Sequence, residues 1–150
     1  MDRTGKSDDP QGGGRILVVR LGEQRFGLPL DRIREVFELE QSPEPVPAAP
    51  EWLAGIVNHH GQVLPVLRGS DVLEAGCGEC RFVVIMELGG ETLGMLVEKI
   101  EQVSVQAGNA AEDAALEWHR GRPLVVLAPE RLARAVESLA SGLDQSARAR

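Results

Sequence analysis

"LGEQRFGLPLDRIREV", residues 21–36, returns later in the chain as "LGGETLGMLVEKIEQV", residues 88–103, sixty-seven positions on and without a gap. Leu21 matches Leu88, Gly22 matches Gly89 and Gly27 matches Gly94. The acid–base pair Asp31-Arg32 matches Glu98-Lys99, Ile33 matches Ile100, and Val36 matches Val103. Each copy reads as a hairpin turn, a strand, and an acid–base–Ile step into a further strand. A glycine inside a strand marks a bulge or a sharp bend of the kind that closes small barrels. The competing explanation is chance likeness between two amphipathic hairpins, which share composition. The repeat predicts an all-β fold: two packed small five-stranded β-barrels related by an internal repeat, with a C-terminal helix.

Working outward, "RILVVRL" and "RFGLPL" are strands joined at Gly22-Glu23-Gln24, and "RFVVIMEL" and "TLGMLV" are strands joined at Gly89-Gly90-Glu91. "QVLPVL" and "PLVVLA" are further strands, whereas "SPEPVPAAP" is too rich in proline for a ladder interior and reads as an extended connector. "PERLARAVESLASG" is a helix: Pro129 suits a first helical position, Glu130 suits the first turn, and Leu132, Val136 and Leu139 share one face. Gly142 offers a stop. Residues 108–118 allow a short helix without requiring one. The expected organisation is a disordered tail over 1–14, one domain over 15–141 and a flexible tail over 142–150.

The chain of 150 residues has a formal net charge of −7. That excess of negative charge argues against nucleic acid and anionic membrane surfaces, which need clustered cations. The polar start "MDRTGKSDDPQGGGR" has no apolar secretory core, and the longest apolar run, "FVVIM", is too short to span a bilayer. The expectation is a cytoplasmic protein without direct membrane insertion and without nucleic acid as a partner. Cys77 and Cys80 alone imply no disulfide framework.

"NHHG", residues 58–61, and "CGEC", residues 77–80, are the candidate metal ligands. Cys77 and Cys80 fit one zinc knuckle, but adjacent histidines do not fit the other, because neighbouring side chains in a turn point in different directions. Asn58 and Gly61 suit the first and last positions of a type I turn, which would place His59 and His60 at its centre, projecting into solvent. No metal and no cofactor are expected. A thioredoxin-like role for the two cysteines lacks its βαβ context. No nucleophile elbow or phosphate-binding loop follows a strand, and the acidic residues read as solvated faces and hairpin tips. No catalytic residue is therefore assigned, and the chain is expected not to be an enzyme.

With the repeat, the "NHHG" turn and the closing strand and helix in hand, the chain resembles the CheW family of bacterial chemotaxis adaptors. The resemblance rests on "LGEQRFGLPLDRIREV", "AAPEWLAGIVNHHGQVLPV", "FVVIMELGGETLGMLVEKIEQV" and "RPLVVLAPERL", and runs from about Arg15 to about Leu139. It implies two intertwined five-stranded barrels and a non-enzymatic scaffold. The implied partners are a CheA-type histidine kinase and the cytoplasmic tip of a chemoreceptor. It implies a receptor-binding apolar groove supplied in this chain by Ile33, Glu35, Val36, Asn58, His60, Ile100 and Val103. It assigns no kinase-binding residues here. Two departures bear on the partner. The family usually reads Asn-x-Arg-Gly at the turn, where His60 holds the Arg place, and often Val-Asp-Leu-Arg where "LRGS", residues 67–70, stands. The alternative function is a diverged CheW-like regulatory module of a non-flagellar pathway. It would bind the kinase, or compete with the kinase's own CheW-like domain, without touching receptors.

Overall fold

A computed structural model describes residues 14–76, 78–106, 114–119 and 122–148. Its strands are β1 (Arg15–Leu21), β2 (Gln24–Pro29), β3 (Ile33–Glu38), β4 (Leu53–His59), β5 (Gln62–Arg68), β6 (Phe82–Leu88), β7 (Glu91–Val97), β8 (Lys99–Gln106), β9 (Ala114–His119) and β10 (Arg122–Leu127). A 3-10 turn, Leu30–Arg32, links β2 to β3. The helices are α1 (Gly69–Val72) and α2 (Pro129–Arg148).

The strands form two five-stranded sheets. Sheet one has the order β9-β10-β2-β1-β8 and sheet two the order β4-β5-β7-β6-β3. Each is built around an antiparallel hairpin, β1–β2 or β6–β7, with a parallel neighbour on one side. β10 runs parallel to β2, placing Val126 opposite Gly27, and β5 runs parallel to β7, placing Val66 opposite Gly94. The strand after each hairpin crosses over. β3 leaves β2 to pair with β6, and β8 leaves β7 to pair with β1. The sheets are therefore interlaced through the acid–base–Ile steps seen in the sequence.

The interior explains why β1 and β6 read as near-continuous apolar runs: both of their faces are buried. Alternate side chains point to opposite faces of a strand. Leu17, Val19 and Leu21 from β1 meet Val84, Met86 and Leu88 from β6 in one cluster shared by both sheets. The other face of β1 puts Ile16 and Val18 into a small cluster with Leu124 and Val126. The other face of β6 puts Val83 and Ile85 with Leu64, Val66 and Leu96. Leu132 of α2 is also buried in the shared cluster.

Several expectations change. The strand pairings give two open five-stranded ladders rather than closed barrels, since β4 and β3 lie at opposite ends of sheet two. Side chains bridge that gap: Phe37 of β3 and Ala54 and Val57 of β4 all pack on the same cluster. The free edge of β4 is covered in part by the proline-rich connector, where Glu44 and Ile56 exchange backbone hydrogen bonds of 2.8 and 2.9 Å. The segment that allowed a helix contains β9, paired along its length with β10. Helix α2 continues through Gly142 to Arg148; glycine costs a helix interior about 1 kcal/mol and need not end it. Nor are all charges solvated. Arg25 is buried, with its Nε 2.8 Å from Glu101 Oε1 of β8. The expected N-terminal tail lies outside the described residues apart from Gly14.

Candidate functional site

The turn between β4 and β5 is a two-residue hairpin. His59 pairs with Gln62, which leaves His60 and Gly61 at the tip with φ of 54° and 81°. Positive φ at both central residues belongs to the hairpin turns whose twist matches the flanking strands, not to a type I turn. Asn58 Oδ1 accepts a hydrogen bond from the Gly61 amide at 3.0 Å and holds the tip. The expected turn is corrected in register by one residue, and this changes the fate of His59.

As the last residue of β4, His59 points inward. Its side chain is 17% exposed, its ring stacks on Phe37 with centroids 4.1 Å apart, and its Nε2 donates to Glu35 Oε2 at 2.9 Å. His60 stays exposed at 77%, yet its Nε2 also lies 3.7 Å from Glu35 Oε2. The two imidazole centroids are 4.0 Å apart. The expectation that adjacent imidazoles diverge is thus corrected: the left-handed backbone at His60 swings its ring back toward β3. The His59 hydrogen bond, helped by the charge both histidines carry when protonated, holds the Glu35 carboxyl below its ordinary range. Phe37 and the inward His59 were missed in the sequence. The available signal was His-Gly between two apolar strands, the pattern of a two-residue hairpin.

The remaining residues named from the sequence divide between the sheets. Ile33 and Val36 lie on β3 of sheet two and Ile100 on β8 of sheet one; all three are half-buried against the shared cluster. Ile33 stands opposite Met86, and Ile100 opposite Val19. Asn58, Glu35 and His60 are exposed and gather at the tip of β4. Val103 lies in β8, and its side chain is outside the described residues, as is Cys77. The second cysteine, Cys80, is partly buried beside the apolar clusters.

Beyond the tip, the connector and β4 border an open cavity of about 520 Å³ lined by Phe37, Ile56 and Val57 together with Glu38, Glu40 and Glu44. A family model described as CheW-like domain matches residues 15–137 of the chain. The chain belongs to the CheW-like domain family. It is similar to a "Chemotaxis protein CheW" of Treponema pallidum (strain Nichols), at 24% identity over 96 residues, 59% of this chain and 56% of that protein. It is also similar to a "Chemotaxis protein CheW" of Rhizobium meliloti (strain 1021), at 28% identity over 95 residues, 61% of this chain and 61% of that protein. The match spans about three fifths of the length of these curated relatives. The crystal structure of the scaffolding protein TtCheW from Thermoanaerobacter tengcongensis shares the fold, with a TM-score of 0.64 at 20% identity over 80% of this chain and 92% of that one. Among the described residues of this CheW-like domain, no helix is long and apolar enough to cross a membrane.

Proposed function

We propose that this CheW-like chain is a non-enzymatic adaptor that couples chemoreceptors to a CheA-type histidine kinase in a bacterial chemosensory complex. The observation that carries this reading is the placement of Ile33 and Ile100. They come from strands of different sheets, yet both rest half-buried on the one apolar cluster that joins the sheets. Partly exposed apolar residues along a seam between sheets suit a helical partner with an apolar stripe. Val36 extends the seam on the β3 side, and Val103 is its proposed counterpart on β8. Glu35, Asn58 and His60 form the proposed polar rim. The partners are the receptor's cytoplasmic tip at this seam and the kinase elsewhere on the surface, all in the cytoplasm.

The test is titration of a receptor-tip fragment and of the kinase's regulatory domain against wild type, Ile33→Ala and Ile100→Ala, each checked by thermal melting. Both variants are expected to keep a cooperative melt and to bind the receptor fragment about 1–3 kcal/mol more weakly, the range of a contact at the centre of an interface. Kinase binding should not change. Unchanged receptor affinity in both variants sinks the seam as the receptor site. Failure to bind either partner sinks the adaptor reading.

A further inference from the structure

We propose that Glu35, His59 and His60 form a binding site for a first-row divalent transition metal, zinc(II) being the reference ion, at the rim where β3 and β4 approach each other. The inference stands apart from the adaptor reading. It rests on convergence that two neighbouring histidines do not ordinarily achieve. One ligand atom from each of the three side chains lies within 4.8 Å of the other two. Glu35 Oε2 is 2.9 Å from His59 Nε2 and 3.7 Å from His60 Nε2. A tetrahedral ion bonded at about 2.0–2.1 Å sets its ligand atoms about 3.3–3.4 Å apart. The two separations from Glu35 bracket that value, and the two histidine ligand atoms lie within 4.8 Å of each other, so small side-chain rotations would bring the three into a shell.

The surroundings fit such an ion. Phe37 is stacked on His59 with an interplanar angle of 8°, which fixes the plane of that ligand ring. With a left-handed φ of 54°, His60 keeps its exposed ring within 3.7 Å of Glu35 Oε2. Two imidazoles with one carboxylate suit zinc, nickel or copper, whereas magnesium and calcium select all-oxygen shells. Three protein ligands leave one coordination position, and a cavity of about 110 Å³ bordered by all three has room for a water there. Arg34 also borders this cavity, but its guanidinium lies 2.9 Å from Glu87, which offsets its charge toward an incoming cation. The imidazoles coordinate as neutral rings with their protons on Nδ1, so the hydrogen that His59 now shares with Glu35 moves to the far nitrogen. Because Glu35 sits on β3 and the histidines at the end of β4, the ion would tie together the two outer strands of sheet two, which no backbone ladder joins.

The experiment uses untagged full-length protein carrying Cys77→Ser and Cys80→Ser, stripped with chelator and titrated with zinc(II) by calorimetry and thermal melting. Cobalt(II) absorption reports the geometry. The expected result is one zinc per chain, a rise in the melting midpoint with zinc, and an intense tetrahedral cobalt spectrum. Glu35→Gln and His60→Ala should each weaken zinc binding by more than about tenfold. The metal-free melt of His60→Ala should stay close to that of the parent, because the side chain is exposed. Absence of saturable binding below millimolar zinc overturns the proposal. So does binding that survives both substitutions, which would locate the ion elsewhere, or equal competition by magnesium, which would reveal a mere carboxylate effect.

Discussion

Gly27 of β2 and Gly94 of β7 stand at matching places in the two sheets and are held there by matching neighbours. A Cβ on Gly27 would lie 2.6 Å from Ile16 Cδ1 and 3.4 Å from Val126 Cγ2. On Gly94 it would lie 2.7 Å from Val83 Cγ1 and 3.4 Å from Val66 Cγ2. In each sheet one close neighbour comes from the antiparallel partner strand and the other from the parallel one. Both sheets thus impose glycine for the same reason, close approach of two flanking side chains. They differ in slack. The Ile16 methyl ends a chain with a second rotatable bond, while the Val83 methyl is fixed on a β-branched carbon with one favoured rotamer. Equivalent architecture does not bring equivalent tolerance.

The largest expected effect tests whether the two sheets are one cooperative body. Leu17 of sheet one is 1% exposed and Val84 of sheet two is fully buried, and both lie in the shared cluster. Leu17→Ala should cost about 2–5 kcal/mol, the usual range for a leucine removed from a packed core. The loss should appear in both sheets at once. Trp118 lies on β9 of sheet one and Trp52 stands beside the start of β4 of sheet two, so single-tryptophan variants report the two sheets separately. Urea unfolding followed by each fluorophore should give coincident transitions before and after Leu17→Ala. If only the Trp118 transition moves, the cluster does not couple the sheets.

Next comes the contrast between the glycines. Gly94→Ala should cost about 1–3 kcal/mol, the range for an overpacked core site, and Gly27→Ala less than about 1 kcal/mol, because Ile16 can swing its terminal methyl aside. Denaturant midpoints at constant slope measure both. Equal costs would show that the backbone rather than the Ile16 side chain takes up the strain.

The glycine pair also shows what the sequence made readable. Gly27 and Gly94, the hairpin turns at Gly22 and Gly89, and the acid–base–Ile steps are local signals; the turns fall between the strands as read, but the ladders run through Gly27 and Gly94 without the expected bulge, and the first step alone forms a 3-10 turn. The destination of the strands after those steps was not readable. Whether β3 pairs within its own sheet or crosses over depends on a contact with β6, some fifty residues away, and alternation of apolar residues along β3 is the same in either case. The site divides likewise. Ile33 and Ile100 stood out because the matching copies align them, whereas the inward turn of His59 depends on a one-residue choice of hairpin register. A slip of one residue reverses which face a side chain occupies. In the observed register His59 meets Phe37 and Glu35, which lie on another strand. Val103 matches Val36 in the repeat, but its side chain lies outside the described residues.

The smallest expected effect concerns the acids of the two matching steps, Asp31 and Glu98. Asp31 has a side chain 76% exposed and meets Arg32 only at 4.0 Å. Glu98 instead accepts hydrogen bonds from the amides of Gly78 at 3.0 Å and Gly22 at 2.8 Å, and from Arg20 Nη2 at 3.3 Å. It therefore ties the first hairpin turn, through Gly22, to the loop before β6. The Gly78 amide, then the Gly22 amide and the Arg20 charge, hold the Glu98 carboxyl below its ordinary value. A carboxyl whose folded-state pKa is depressed contributes stability that is present above its unfolded value, near 4.5, and is lost as the pH falls through the lower folded one. Thermal melts of wild type and Glu98→Gln should accordingly differ most at neutral pH, with the variant lower, and should converge as the solution is acidified below pH ~4. Asp31→Asn should match wild type throughout, since an exposed pair at that distance contributes little. A constant offset between Glu98→Gln and wild type down to pH ~2 would assign the role of Glu98 to packing instead of charge. An effect of Asp31→Asn equal to that of Glu98→Gln would make the two steps alike in energy as well as in sequence.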